Sequence, residues 1–122
     1  MKDKIESFFN ENGKEATLLF NVGGRFIISA GEKSYTVAVV SEGKVEVEEG
    51  RKGCDFEIAG EPSVMGDIFS SKSVEECFNK IRFYLVQGKK PKLKIFMERS
   101  IENTKKFLRD YFPALSHLYI IR

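Results

Sequence analysis

The sequence predicts an α+β fold: a mainly antiparallel sheet of five to six strands, with helices packed on one face. Three observations predict it. Between Thr17 and Ile58, apolar and polar side chains alternate in several short stretches, the period of half-buried strands. Between Pro62 and Val86 the period lengthens, and apolar residues recur at helical spacing. One further alternating stretch, Leu93 to Met97, and one further helical stretch after Ser100 close the chain. The 122 residues suit one domain, so residues 1–122 are expected to fold together.

The elements follow in order. Ile5, Phe8 and Phe9 fall at i, i+3 and i+4, which predicts a helix over 2–12 that stops at Asn12-Gly13. Thr17 to Val22 and Arg25 to Ala30 read as extended, joined by Gly23-Gly24. That link suits a hairpin turn or a glycine bulge in one long strand, and both readings stay open. Tyr35 to Val40 is a strand with both faces covered. Past the Glu42-Gly43 turn, Val45 and Val47 alternate with charged neighbours, as do Cys54, Phe56 and Ile58 with Asp55 and Glu57. Both patterns predict strands with one face in water.

Pro62 suits the first turn of a helix that carries Val64, Met65, Ile68 and Phe69. Ser73 with Glu76 three residues on is a capping box, so a second helix begins there. Its stripe is Val74, Cys77, Phe78, Ile81 and Leu85, with Phe83, Tyr84 and Val86 beside or off it. Gly88 ends that helix. Leu93, Ile95 and Met97 form a last strand with Lys92 and Lys94 outward, and Ser100 caps a final helix bearing Leu108 and Phe112. The tail 114–122 is too apolar for a free end. It reads as a lid, a partner contact, or a segment docked on its own core.

Composition separates classes of function. Eleven Phe and four Tyr stand beside a single His and two Cys. Such a chain is rich in groups that line a core or cavity and poor in groups that shuttle protons near neutral pH. It is expected to bind or pack, and not to be an enzyme. Residues 1–71 hold 8 Lys/Arg against 13 Asp/Glu, and residues 72–122 hold 12 against 5. An acidic first part and a basic second part can neutralise each other within one domain, or the basic part can meet anionic lipid transiently. The N-terminus lacks the apolar run of a signal peptide, and two cysteines are too few for a disulfide scaffold. A cytoplasmic location with reduced, core-forming thiols is the expectation.

The chemistry-bearing motifs are sparse. His117 has no Cys, Asp or Glu at ligand spacing, so neither a metal nor another cofactor is expected. Asn21-Val22-Gly23-Gly24 lacks the spacing of a phosphate loop. Lys89, Lys90, Lys92 and Lys94 form a cationic run. It suits a lipid head group or an anionic membrane, but also plain protection of an edge strand. A nucleic-acid role is not expected at a net charge of +2.

One pattern extends the reading. Tyr35 to Val47, then Cys54-Asp55-Phe56-Glu57-Ile58 leading directly into the helix Pro62 to Phe69, then Lys92-Leu93-Lys94-Ile95 before a final helix, resembles the sterol carrier protein 2 family over roughly residues 17–112. Pro91 and Lys92 stand where that family usually has Gly, and the helix 74–87 is longer than usual. The resemblance implies a five-stranded sheet, helices on one face, and an apolar tunnel between them for lipid, sterol or fatty acyl groups. It implies that Phe56, Ile58, Ile68, Phe69, Phe78, Ile81, Leu85, Leu93, Ile95, Leu108 and Phe112 face a ligand, with Lys89, Lys90 and Lys92 near its head group or a membrane. The second reading is an interaction module of the same fold with a filled core, an exposed sheet edge and an apolar tail that dimerises or docks.

Overall fold

A computed structural model of the chain describes residues 1–17, 24–53, 56–86 and 92–97, and the backbone of 119–121. The elements are α1 (Lys2–Thr17), β1 (Arg25–Ala30), β2 (Lys33–Ser41), β3 (Lys44–Glu49), β4 (Phe56–Gly60), α2 (Pro62–Ile68), α3 (Val74–Leu85), β5 (Leu93–Met97) and β6 (Tyr119–Ile121). The class is α+β. The strands form one sheet in the order β3-β2-β1-β4-β5-β6.

That sheet is mixed: three of its five pairings are antiparallel, in keeping with the expected mainly antiparallel sheet, and two are parallel, which the sequence did not predict. β1–β2, β2–β3 and β4–β5 are antiparallel, but β4 lies parallel to β1, and β6 parallel to β5. The cause is the route from β3 to β4. Phe56 starts β4 beside Phe26, at the beginning of β1, so the chain must cross the sheet before it re-enters. Residues 50–53 lie across its back. Thr36 Oγ1 donates to the Gly50 carbonyl at 2.8 Å and accepts from the Lys52 N–H at 3.2 Å. Those bonds satisfy backbone groups that a crossing segment would otherwise leave without partners. Alternation along a strand reports its pleat, not the direction of its neighbour, so the sequence pattern could not distinguish the two arrangements.

The β2–β3 hairpin turns at Glu42-Gly43, with Gly43 at φ +80°. Its neighbour α1 departs from the sequence reading. The helix does not stop at Asn12-Gly13 but runs on to Thr17, so Thr17 is helical rather than extended. Gly13 serves another purpose. A Cβ there would stand 2.5 Å from the Gly43 carbonyl oxygen, so only glycine lets α1 lie this close to the hairpin turn. The rest of the first expected extended segment (18–22), the Gly23-Gly24 link apart from Gly24, Cys54 and Asp55, the linker 87–91, and the final helix with Leu108 and Phe112 lie outside the described residues.

α2 and α3 begin where the sequence places them. Pro62 occupies the first turn of α2, where its missing N–H costs nothing. Ser73 caps α3, its Oγ accepting from the Glu76 N–H at 3.1 Å. The reciprocal bond of the box is displaced by one residue, because Glu76 Oε2 accepts from the Lys72 N–H at 3.0 Å. β5 is flanked by β4 along its length and by β6 along Ile95–Met97, so Lys94 lies beside the stretch that β6 covers. Of the tail, Tyr119–Ile121 pairs with Ile95–Met97.

Candidate functional site

The strands present two unlike faces. On one, alternate residues Phe26, Ile28 and Ala30 of β1, Tyr35 and Val37 of β2, Val47 of β3, Phe56 of β4, and Leu93 and Ile95 of β5 join a single apolar cluster. The helices supply its other half: Ile5, Phe8 and Phe9 from α1, Val64, Met65 and Ile68 from α2, and Val74, Cys77, Ile81 and Leu85 from α3. Helical spacing in one layer and period-two spacing in the other make the two surfaces match.

Aromatic rings thread this layer. Phe26 and Phe56, paired across the parallel strands, stack at 5.2 Å with planes 2° apart. Phe9 meets Phe26 at 6.1 Å, Phe8 meets Phe9 edge-on at 5.3 Å, and Phe8 meets Phe69 edge-on at 5.8 Å. The row runs from β4 across to the end of α2. These are ordinary aromatic packing geometries, so this part of the layer is filled.

Of the residues expected to face a ligand, Phe56, Ile68, Phe69, Ile81, Leu85, Leu93 and Ile95 are buried in this cluster. Ile58 and Phe78 pack against it partly buried. Leu108 and Phe112 lie outside the described residues, as do Lys89 and Lys90, while Lys92 is exposed. Sequence reasoning omitted Phe26, and it did not join Phe8 and Phe9 to this set. The period-two position of Phe26 was the available signal for it. The aromatic row that links Phe26 to α1 is a tertiary fact. Three surface clefts formed by described residues lie on the outside of α3, beside Arg51, and between α1 and β3. None of the three is lined by the residues expected to hold a ligand.

The opposite face buries a polar cluster, with the apolar Ile27 between Thr36 and Glu57. Glu57, expected in water, is buried, with a side chain 4% exposed. Arg51 reaches back over the sheet and pairs with both of its carboxylate oxygens, Nη1 bonding Oε2 at 3.0 Å and Nη2 bonding Oε1. Ser29 Oγ donates to Oε2 at 2.6 Å and shares a bond of 3.0 Å with Ser34 Oγ. A buried carboxylate needs such partners, because desolvating an unpaired charge is costly. A period-two pattern reads only which face a residue takes, and the crossing segment decides that this face is covered.

Reactive groups are few. The buried Cys77 thiol is pushed up to about 12 by desolvation, so it is not a thiolate near neutral pH. Among the described residues no group of three or more His, Cys, Asp and Glu side chains is placed to hold a metal ion. Among them, too, no helix is long and apolar enough to cross a membrane.

No family model and no curated protein matches this chain. Among solved structures it is similar to one described as "UbiJ-SCP2 Ubiquinone synthesis protein", with 16% identity and a TM-score of 0.49, covering 96% of this chain and 85% of that one.

Proposed function

We propose that this protein is a non-enzymatic binder of an apolar ligand, a lipid, fatty acyl or sterol-like molecule, held between the sheet and the helices. One observation carries the reading. The buried polar side chains of the described strands, Ser29, Thr36 and Glu57, belong to the opposite face, and the layer under the helices is built from aromatic and aliphatic groups. Such a layer offers a ligand little beyond apolar contact. Each buried CH₂ contributes about 0.8 kcal/mol, so chain length and not head group should dominate affinity. Because the described part of the layer is filled, binding requires the helices to yield. The unreactive Cys77 thiol supports a role without covalent chemistry. Exposed Lys92 is available to a head group or to an anionic membrane surface.

Native mass spectrometry followed by solvent extraction tests the proposal. The expected result is a co-purifying lipid near one per chain, or affinity for fluorescent acyl probes that climbs with chain length. An empty protein that binds no acyl probe would overturn it.

The second reading, a dimerising or docking module with a filled core, has its own support. Phe83 is 58% exposed and Val86 60% exposed on the outer side of α3. If they form a homodimer contact, Phe83→Asp with Val86→Asp will shift the protein from dimer to monomer in sedimentation velocity. A wild type that is already monomeric removes the dimerising form of that reading.

A further inference from the structure

The polar contacts of α2 and α3 are unevenly distributed. Between the two helices they are dense. Tyr84 Oη donates to Asp67 Oδ2 at 2.6 Å. Lys80 Nζ reaches Asp67 Oδ1 at 3.1 Å, the Asp67 carbonyl at 3.0 Å, and Glu76 Oε1 at 3.3 Å. Lys80 and Tyr84 are one turn apart on α3, so two successive turns grip a single α2 carboxylate. The elbow is closed as well. Ser71 Oγ donates to the Ile68 carbonyl at 2.7 Å, and the Ser70 N–H reaches the Asp67 carbonyl at 3.2 Å.

Toward the sheet the same pair turns hydrocarbon: Met65 and Ile68 from α2, and Cys77, Ile81 and Leu85 from α3. Hydrogen bonds and ion pairs are directional and weaken steeply with misalignment, whereas apolar contact has no preferred direction. Hinging α2 against α3 would break the directional contacts. Lifting both together leaves those contacts whole and separates apolar surfaces. The tether from Lys4 Nζ to Ser70 Oγ, 3.2 Å long and exposed, is a polar link to α1 that such a motion would break.

We propose that α2 and α3 move as one rigid body, fastened by the Asp67–Tyr84–Lys80 latch, and that this body is what lifts to admit an apolar ligand. The second half rests on the reading of the layer as a ligand site. The first half does not.

Native-state hydrogen exchange on the full chain tests the first half without any ligand. Amides from Met65 to Phe69 and from Cys77 to Leu85 are expected to share one opening free energy. The double variant Tyr84→Phe/Lys80→Met keeps the ring and the aliphatic stem but removes both donors. In it, α2 is expected to exchange at least tenfold faster than α3. Unequal protection in the wild type, or an unsplit pair in the variant, overturns the rigid body. Stopped-flow uptake of a fluorescent acyl probe tests the second half, with an expected change of fivefold or more in the variant. Unchanged uptake overturns the gate. A wild type that binds no probe overturns the ligand reading and leaves the exchange comparison standing.

Discussion

The two faces of the sheet are made by the same strands and hold together by different physics. Under the helices, Phe26, Ile28, Phe56 and Leu93 belong to a layer of hydrocarbon in which contact is non-directional. One residue along, Ser29, Thr36 and Glu57 are equally buried but depend on named partners. The first face tolerates rearrangement as long as volume is kept. The second tolerates little, because each group desolvated there must keep its bond. The contrast separates roles: the hydrocarbon face is held by volume and contact, and the polar face holds the crossing segment in place.

Truncation on the helix face should produce the largest loss. Phe56→Ala removes a ring stacked on Phe26 and should destabilise by about 3–5 kcal/mol in urea unfolding. Phe56→Leu should recover much of that, and a loss equal to that of alanine would mean that the ring stack, and not volume, governs this face.

Next comes the back face. Arg51→Ala leaves Glu57 buried without its cation and should destabilise by about 3 kcal/mol. Adding Glu57→Leu should return about half of that loss, since removing both partners is cheaper than stranding one. A double variant no more stable than the single would make the two faces alike. Gly13→Ala should cost about 1 kcal/mol by thermal unfolding, despite a helix propensity that favours alanine by about that much. Its Cβ would meet the Gly43 carbonyl. A stabilised variant would show that α1 can move away from the hairpin.

The smallest effect is the pH response of the latch. The hydrogen bond from Tyr84, then that from Lys80, holds the Asp67 carboxyl below its usual value. The same bond to Asp67, with burial, raises the Tyr84 phenol above 10.0. A lowered acid stabilises the fold above its unfolded value and loses that contribution as pH falls through the folded one. A raised phenol stabilises below its unfolded value and loses that contribution as pH rises through the folded one. The latch is therefore complete between about pH 5 and 9. α2–α3 exchange should quicken at either extreme. Tyr84→Phe should shrink the acid change, because the Tyr84 bond is the larger cause of the Asp67 shift, and should leave at alkaline pH only the part due to Lys80, whose ammonium Asp67 and Glu76 also favour. An acid change of full size in Tyr84→Phe would show that Tyr84 does not hold the Asp67 carboxyl.

Much of the local structure was readable from residues alone. Pro62 and Ser73 opened their helices as expected, because capping depends on near neighbours. The period-two strands around Val37, Val47 and Ile95 put the expected side chains inward, since pleating is local. The candidate layer was legible in the same way, for Ile68, Ile81 and Leu85 advertised their shared face by spacing. Gly13 was misread because a glycine that ends a helix and one that admits a close neighbour look the same in sequence. Glu57 was misread because nothing near it in the chain says that Arg51 will return over the sheet.

The sequence by itself determined the alternation of apolar and polar positions, the helix starts, the aromatic wealth of the interior and the scarcity of reactive groups. All of these depend on residue type and short spacing. Only the tertiary structure decided that β4 lies parallel to β1, that Gly13 meets Gly43, that Arg51 covers Glu57, and that Asp67 fastens α2 to α3. Each of these joins segments whose meeting depends on the path of the chain in space, and pattern along the chain carries no information about that path.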